Sequence, residues 1–257
     1  MLSVTDPDDP RLADFHGVRL RDDRHFPFFI AEGRAAVAEL VQSPYPVRAV
    51  LLLDRKAANV APLLDGLDVP VYVAPEPVLR ATLGFNLHRG VVASADRVRM
   101  PSVDDVIGNA RFVAVLERLN DHENLGALFR NARALGVDAV LLDPEAADPL
   151  YRRCVRVSMG HVLRMPMARF AAWPDDLDVL RRAGFTLVAL TPAPDAIDIN
   201  DVDAPGRVGL LLGSEGSGLS DAALAAADVR VRIPMANGVD SLNVATAAAI
   251  AFHRLAP

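Results

Sequence analysis

Two glycine-bearing loops near the end of the chain carry side chains that could do chemistry. The first, GSEGSG, follows the apolar run RVGLLL and contains one carboxylate, Glu215. The second, MANGVDSLN, follows an apolar run that ends at Ile233 and contains Ser241 and Asn243. Loops that follow buried strands are frequent ligand sites in α/β domains. The two loops therefore predict a ligand pocket, although a tight turn without function explains the glycines of the first loop equally well.

The composition of the first loop disfavours phosphate binding. A Walker loop requires a lysine that reaches the phosphates, whereas the one lysine of the sequence is Lys56. A dinucleotide-binding loop has the spacing GxGxxG on the first βα turn, whereas Gly213, Gly216 and Gly218 have the spacing GxxGxG. Glu215 inside this loop would also repel a pyrophosphate.

A third segment, NDHENLGALFRNARALG, supplies an amide and a guanidinium on one predicted helix. Its apolar residues recur at helical spacing and form one face: Leu125, Leu128, Phe129, Ala132 and Leu135. Arg130 then lies off the core face, and Asn124 lies at the helix start, where asparagine caps well. We expect this helix to bring polar groups to the two loops.

The elements that position these segments alternate between strands and helices from Phe28 onward. This alternation predicts α/β layers with largely parallel sheets. A polar run around Pro101 separates two parts of the chain. We therefore predict a first domain at 1–100 that begins with a polar N-terminal extension at 1–27, a linker at 101–110 and a second domain at 111–257.

Composition narrows the possible function classes. The net charge of −6 argues against a non-specific nucleic-acid coat but allows a local basic patch. The single cysteine, Cys154, excludes an intramolecular disulfide, and the scattered histidines lack metal-binding spacings, so we expect no metal. The sequence has neither an apolar run of about 20 residues nor a signal-peptide core. We expect a cytoplasmic protein without a membrane partner.

The chain resembles the SpoU, or TrmH-like, branch of the SPOUT RNA methyltransferases. The resemblance is carried by three motifs in order, NxxNLGALFRNARALGVD, LLLGSEGSGLS and IPMANGVDSLNVATAAAIA. It implies a C-terminal SPOUT domain in which helices flank a mostly parallel sheet and the chain forms a deep trefoil knot, a rare exception to unthreaded connections. It also implies an N-terminal L30e-like α/β domain that binds the RNA substrate, and a homodimer.

The function implied by the resemblance is S-adenosylmethionine-dependent methylation of a ribose 2′-hydroxyl in ribosomal or transfer RNA. Enzymes that act on different nucleotides share these motifs, so they predict the reaction and not the RNA. The alternative is a catalytically silent RNA-binding or ribosome-assembly protein of the same fold. A nucleotide-dependent oxidoreductase is disfavoured because the dinucleotide fingerprint is missing.

The resemblance also assigns site residues. Six match cofactor contacts: Leu190, Thr191, Gly213, Ile233, Ser241 and Leu242. Five match catalytic positions: Asn124, Arg130, Glu215, Ser241 and Asn243. Gly213 would permit close backbone approach to the cofactor. A guanidinium stays protonated, so we expect Arg130 to hold the target phosphate or to stabilise alkoxide charge.

Two readings stay open for several of these residues. Asn124 caps its helix, orients Arg130 or does both, and Glu215 either bonds to loop amides or takes part in the chemistry. Asn243 either caps the last helix or acts in the site. A basic segment with Arg152, Arg153 and Arg156 is predicted to contact the RNA backbone; a solvated helix face is the alternative.

Overall fold

The chain folds as two units in a computed structural model that describes residues 1–18, 26–87, 89–202, 206–236 and 239–256. The first unit comprises Met1–Arg99 and Asp148–Arg164, and the second comprises Met100–Ala147 and Met165–Pro257. Among the described residues, no helix combines the length and the apolar character that crossing a membrane requires.

The first unit is built on a mixed sheet. Up to Arg99 its elements are β1 (Leu2–Ser3), β2 (Phe28–Glu32), α1 (Arg34–Val41), β3 (Val47–Leu53), α2 (Ala57–Val60), β4 (Val71–Ala74), α3 (Glu76–Leu83) and β5 (Val91–Asp96). The strand order is β1-β4-β3-β5-β2. Strands β1, β4 and β3 are parallel, whereas β5 runs antiparallel to β3 and β2. Our prediction of a largely parallel sheet for this part is therefore wrong. The alternation of strands and helices along the sequence indicates an α/β layering, but it does not determine the direction of each strand.

The N-terminal segment is part of this core, which corrects the polar extension predicted for 1–27. Strand β1 extends the sheet, and Val4 continues the pairing by donating its N–H to Val73 O at 2.9 Å. Leu12 and Phe15 are fully buried in a cluster with residues of β3 and β4. Among residues 1–18, four apolar side chains are buried although aspartates lie between them. They are enough to anchor the segment, because burial of each contributes about 1.5–3 kcal/mol to the free energy of folding. Residues 19–25 lie outside the described residues.

Beyond Arg99 the chain forms a sheet in which every strand pair is parallel. In chain order the elements are α4 (Val103–Ile107), β6 (Phe112–Leu116), α5 (His122–Ala134), β7 (Ala139–Leu142), α6 (Arg152–Val157), β8 (Met167–Arg169), α7 (Leu177–Arg182), β9 (Phe185–Leu190), β10 (Ile197–Asp198), β11 (Arg207–Leu212), α8 (Asp221–Ala226), β12 (Val229–Arg232) and α9 (Val244–Leu255). The strand order is β10-β12-β9-β11-β6-β7-β8. The central strands β11 and β6 are continuous apolar runs, as expected where helices cover both faces of a parallel sheet.

Two boundaries differ from the predicted domains. Residues 101–110, predicted as a linker, contain α4, which Ser102 and Asp105 start with a reciprocal capping box. Ile107 belongs to the core of the second unit. The segment Asp148–Arg164, predicted within 111–257, belongs to the first unit and includes α6. Sequence periodicity shows which residues of α6 are apolar, but it does not show which sheet they pack against.

Candidate functional site

The candidate site lies where four strands of the parallel sheet end. The C-terminal ends of parallel strands meet at one edge, which is where α/β proteins bind ligands. Strands β6 and β11 are direct neighbours, and β9 pairs with both β11 and β12. The segments after these strands therefore converge although they are far apart in the sequence.

An amide–carboxylate cluster of Asn124, Glu215 and Asn243 joins all three motifs. Asn243 Nδ2 donates to Asn124 Oδ1 at 2.8 Å and to Glu215 Oε1 at 2.7 Å. Asn243 Oδ1 accepts from the backbone N–H of Ala245 at 3.0 Å and of Thr246 at 3.2 Å. Asn243 thus caps α9, as one of its two readings predicts, and bridges the other two motifs with the same side chain.

Asp121, and not Asn124, caps α5. Its carboxylate accepts from the N–H groups of Glu123 at 2.7 Å and Asn124 at 2.8 Å. The predicted capping role of Asn124 is therefore wrong. Aspartate and asparagine cap about equally well, so residue type alone could not separate them. Asn124 lies within the first turn, where its amide is available to Asn243.

Arg130 is exposed on α5 and is separate from the cluster. It follows Asn124 by six residues, which at about 100° per residue turns its side chain about 120° away from that of Asn124. No hydrogen bond or ion pair joins Arg130 to any described residue. Asn131, which sequence reasoning passed over, lies on the same side of α5 as Asn124 and donates to Ala245 O of α9 at 2.9 Å.

A main pocket of about 410 Å³ opens beside the cluster. All six residues predicted to contact a cofactor line it: Leu190, Thr191, Gly213, Ile233, Ser241 and Leu242. Glu215 and Asn243 also line it, whereas Asn124 reaches it through its bond to Asn243. The walls combine apolar side chains with hydroxyls and loop backbone, which suits a ligand that has both apolar and polar parts.

Gly213 is required by the loop itself. A Cβ added at this position would lie 2.1 Å from the carbonyl carbon of Gly218 and 2.2 Å from Leu219 N. The turn is closed by Gly218 N–H donating to Ser214 O at 3.0 Å. The close approach predicted at Gly213 is thus made, in this structure, by the backbone of the same loop. The first loop is a rigid wall of the pocket.

Glu117 is a buried carboxylate that sequence reasoning missed. Its Oε1 accepts from Trp173 Nε1 at 2.7 Å, and its Oε2 accepts from Ser220 N at 2.8 Å. The bond from Ser220 fixes the exit of the first loop, because Ser220 is the N-cap of α8, and the bond from Trp173 holds the carboxylate in place. The available signal was an acidic residue placed directly at the end of the apolar run of β6.

A side pocket of about 380 Å³ lies against the other side of the first loop. Ser214 and Glu215 line both pockets, and the side pocket is completed by polar residues that include Arg118, Asn120 and Asp121. The backbone of Arg118 has a φ of 50°, a left-handed conformation that is uncommon for a residue with a side chain. Glu215 therefore stands on the wall between two cavities.

The arginines predicted to bind RNA fall in the first unit. Arg152 Nη1 donates to Glu32 Oε2 at 2.5 Å, and its guanidinium carbon lies 4.6 Å from the Phe85 ring centre. With 16% of its side chain exposed, Arg152 stabilises this unit internally. Arg153 is exposed and Arg156 is half-buried.

Comparison with known proteins agrees with this geometry. The model of the SpoU rRNA Methylase family matches residues 111–253. An uncharacterized tRNA/rRNA methyltransferase of Mycobacterium tuberculosis is 50% identical over 258 residues, which cover 97% of this chain and 90% of that protein.

Two solved structures share the fold over nearly the whole chain. The AdoMet-bound rRNA methyltransferase of Sinorhizobium meliloti has a TM-score of 0.83 and 27% identity, covering 98% of this chain and 96% of its own. A structure of an RNA 2′-O ribose methyltransferase has a TM-score of 0.79 and 26% identity, covering 98% and 97%. The chain belongs to the SpoU rRNA methylase family.

Proposed function

We propose that this protein transfers a methyl group from S-adenosylmethionine to a ribose 2′-hydroxyl of ribosomal or transfer RNA. The observation that carries the proposal is the amide–carboxylate cluster at the edge of the main pocket. The solved relative that is an RNA 2′-O ribose methyltransferase, similar over the whole chain, supports the ribose hydroxyl as the acceptor.

The main pocket fits S-adenosylmethionine. Its volume of about 410 Å³ is in the range of small-molecule sites. Leu190, Ile233 and Leu242 supply apolar surface for the adenine, while Thr191 and Ser241 supply hydroxyls for the ribose of the cofactor. The AdoMet-bound relative from Sinorhizobium meliloti supports this assignment. When bound, the cofactor supplies an electrophilic methyl on a sulfonium, so the protein mainly aligns the acceptor oxygen.

The side pocket is the place that we assign to the target nucleotide. Glu215 is shared by both pockets, and its Oε1 is held by Asn243. Its Oε2 accepts no hydrogen bond from the described residues, so we assign it to orient the ribose hydroxyl. Asn243 positions Glu215, and Asn124 positions Asn243. Ser241 lies beside them and contacts the cofactor.

Arg130 acts on the RNA rather than as a base in this proposal. Its guanidinium stays protonated and faces solvent, where it can hold the target phosphate or stabilise alkoxide charge. We also propose a homodimer, in which the cofactor sites lie near the interface. Light scattering at micromolar concentration tests the dimer, and a monomeric mass would contradict it.

Three further assignments belong to the proposal. We assign a deep trefoil knot to the segment around α9, as the resemblance to the SPOUT methyltransferases implies. Helix α9 packs on α5, and Phe252 packs on Phe112 with ring centres 6.1 Å apart. The first unit is an L30e-like domain that binds the RNA substrate. We assign Arg153 and Arg156 to contacts with the RNA backbone. We also assign the protein to the cytoplasm.

Methyl transfer to RNA from a strain that lacks the gene tests the proposed function. The purified protein is incubated with radiolabelled S-adenosylmethionine and either ribosomal or transfer RNA from that strain. We expect label in one RNA class, recovered as a 2′-O-methyl nucleoside by mass spectrometry. RNA from the parent strain is the matched control and should accept much less label. Cofactor binding without transfer to either RNA would instead support the catalytically silent RNA-binding protein.

A further inference from the structure

A second charged cavity lies within the first unit, and the proposed reaction leaves it unexplained. This basic pocket has a volume of about 400 Å³ and is lined by Arg34, Lys56 and Arg89, together with Ala35, Asn59 and Val60. Its lining contains three cations and no carboxylate. Lys56 is the one lysine of a chain whose net charge is −6.

Two glycines give the cationic side chains their places. A Cβ on Gly33 would lie 2.7 Å from Cδ of Arg89, and a Cβ on Gly90 would lie 2.7 Å from Cγ of Lys56. Both glycines have positive φ, 96° and 77°, a conformation that side chains rarely adopt. The stems of Arg89 and Lys56 therefore lie across bare backbone, which directs their charged ends to the pocket.

The three cations have no partners among the described residues. Arg34, Lys56 and Arg89 are all exposed, and their side chains form no hydrogen bond or ion pair with the described residues. Other arginines of the same unit are paired: Arg11 with Asp9, Arg48 with Asp14, Arg55 with Glu76, Arg97 with Asp148 and Arg152 with Glu32. Unpaired like charges around one cavity repel one another, and a bound anion would relieve that repulsion.

The start of α1 adds to the positive potential. Gly33 occupies the N-cap position, and no side chain accepts a hydrogen bond from the first turn. Helix N-termini attract anions through free N–H groups and the helix dipole. Arg34, the first residue of α1, belongs to the same pocket.

We propose that the basic pocket binds consecutive phosphates of the substrate RNA backbone. This inference rests on the proposed function for the identity of the polyanion. Among the described residues, the lining offers no aromatic ring on which a base could stack, and contacts to phosphates position an RNA without reading its sequence. The pocket takes over the role that the sequence suggested for Arg152.

A charge-matched pair of triple variants tests the proposal. The test variant is Arg34→Gln, Lys56→Gln, Arg89→Gln. The control is Arg55→Gln, Arg80→Gln, Arg99→Gln, which removes the same charge from exposed residues of the same unit outside the pocket. Ribosomal and transfer RNA from the gene-deletion strain are the probes, and binding is measured by filter retention between about 50 and 200 mM salt.

We expect the test variant to lose RNA affinity by about 10-fold or more and its slope of log K against log salt to become shallower by about 2, because each phosphate contact contributes about 0.7–0.9. The control should keep a steeper slope than the test variant. Equal losses in both variants would show a general effect of net charge and overturn the proposal. Micromolar binding of inorganic phosphate by the native protein that is lost in the test variant, while the RNA affinity of that variant is unchanged, would overturn the assignment to an RNA backbone.

Binding and transfer are read separately. Calorimetry with S-adenosylmethionine should give the same cofactor affinity for both variants, which also verifies that they are folded. If the native protein binds RNA with the expected salt slope but transfers no methyl, the reaction is wrong and the basic pocket stands. If the native protein is active and the test variant keeps its KM for RNA, the basic pocket is wrong and the reaction stands.

Discussion

The amide–carboxylate cluster and the basic pocket differ in whether their polar side chains are already hydrogen-bonded within the protein. In the cluster, Asn243 donates to two neighbours and accepts from two backbone N–H groups, so its polar atoms are held before any ligand arrives. In the basic pocket, the three cations have no protein partner among the described residues. Chemistry that depends on alignment requires fixed groups, whereas a backbone contact requires available charge. The polar groups of the cluster are thus bonded to one another, whereas the cations of the basic pocket are available to a ligand.

Arg130 lies in the second unit with the cluster, but its side chain is unpaired among the described residues, like the cations of the basic pocket. We expect Arg130→Ala to lower methyl transfer by about 1,000-fold, the scale of removing one charge-stabilising group. Cofactor affinity, measured by calorimetry, should change by no more than a few-fold. Arg133→Ala removes an exposed arginine from the same helix and is the control. An active Arg130→Ala protein would remove Arg130 from the site.

The rigidity of the first loop is tested at Gly213. Gly213→Ala would push a Cβ into the backbone of Gly218, so we expect a loss of about 2–4 kcal/mol in the free energy of unfolding and a weaker main pocket. Gly209→Ala in β11, the strand that leads into this loop, is the control, because its nearest contact is the end of the Leu187 side chain at 3.1 Å. Urea unfolding and cofactor titration measure both variants. Similar stabilities would contradict a rigid loop.

Variants of two arginines on α6 compare a paired with an unpaired charge in the first unit. Arg152→Gln leaves the buried carboxylate of Glu32 without its cation, so we expect a loss of about 2 kcal/mol in stability. The salt dependence of RNA binding should not change. Arg156→Gln is the matched variant on the same helix: its side chain forms no ion pair with the described residues, so stability should stay nearly the same, and the salt slope should fall by about 0.7. A changed slope for Arg152→Gln would return this residue to the RNA surface.

Asn243 allows its two tasks to be separated. Asn243→Ser keeps an oxygen that can cap α9 but loses the Nδ2 bonds to Asn124 and Glu215. We expect methyl transfer to fall about tenfold, with the thermal midpoint nearly unchanged. Asn243→Ala should lose both activity and about 1 kcal/mol of stability. If serine restored full activity, the cluster would serve the helix cap alone.

Much of the fold followed from local pattern. Apolar runs and helical spacing placed the strands β11 and β12 and the helix α5, because burial of these residues depends on periodicity. Pattern could not show that Leu12 and Phe15 complete the core of the first unit, nor that α6 joins it. Both depend on contacts between residues far apart in the chain.

Sequence reasoning named many of the residues that line the main pocket, but not the hydrogen bonds that hold them. Motif resemblance selected the six residues that line the main pocket. It did not show that Asp121 replaces Asn124 as the cap, because the two residue types cap equally well. Glu117 and the basic pocket were missed because their meaning depends on burial and pairing. The sequence alone does not show whether a charged side chain will form an ion pair or a hydrogen bond in the folded protein.

The position of Lys56 makes the basic pocket chemically addressable. Amine-reactive reagents modify lysine and the chain terminus but not arginine, so a single internal side chain of this protein would react. Labelling Lys56 would thus place a probe in the basic pocket without any substitution. Cys154 is its counterpart: burial raises the pKa of this thiol, and a protonated, buried thiol resists alkylation. Amine labelling would follow occupancy of the basic pocket in the folded protein, and thiol labelling would follow unfolding of the same unit.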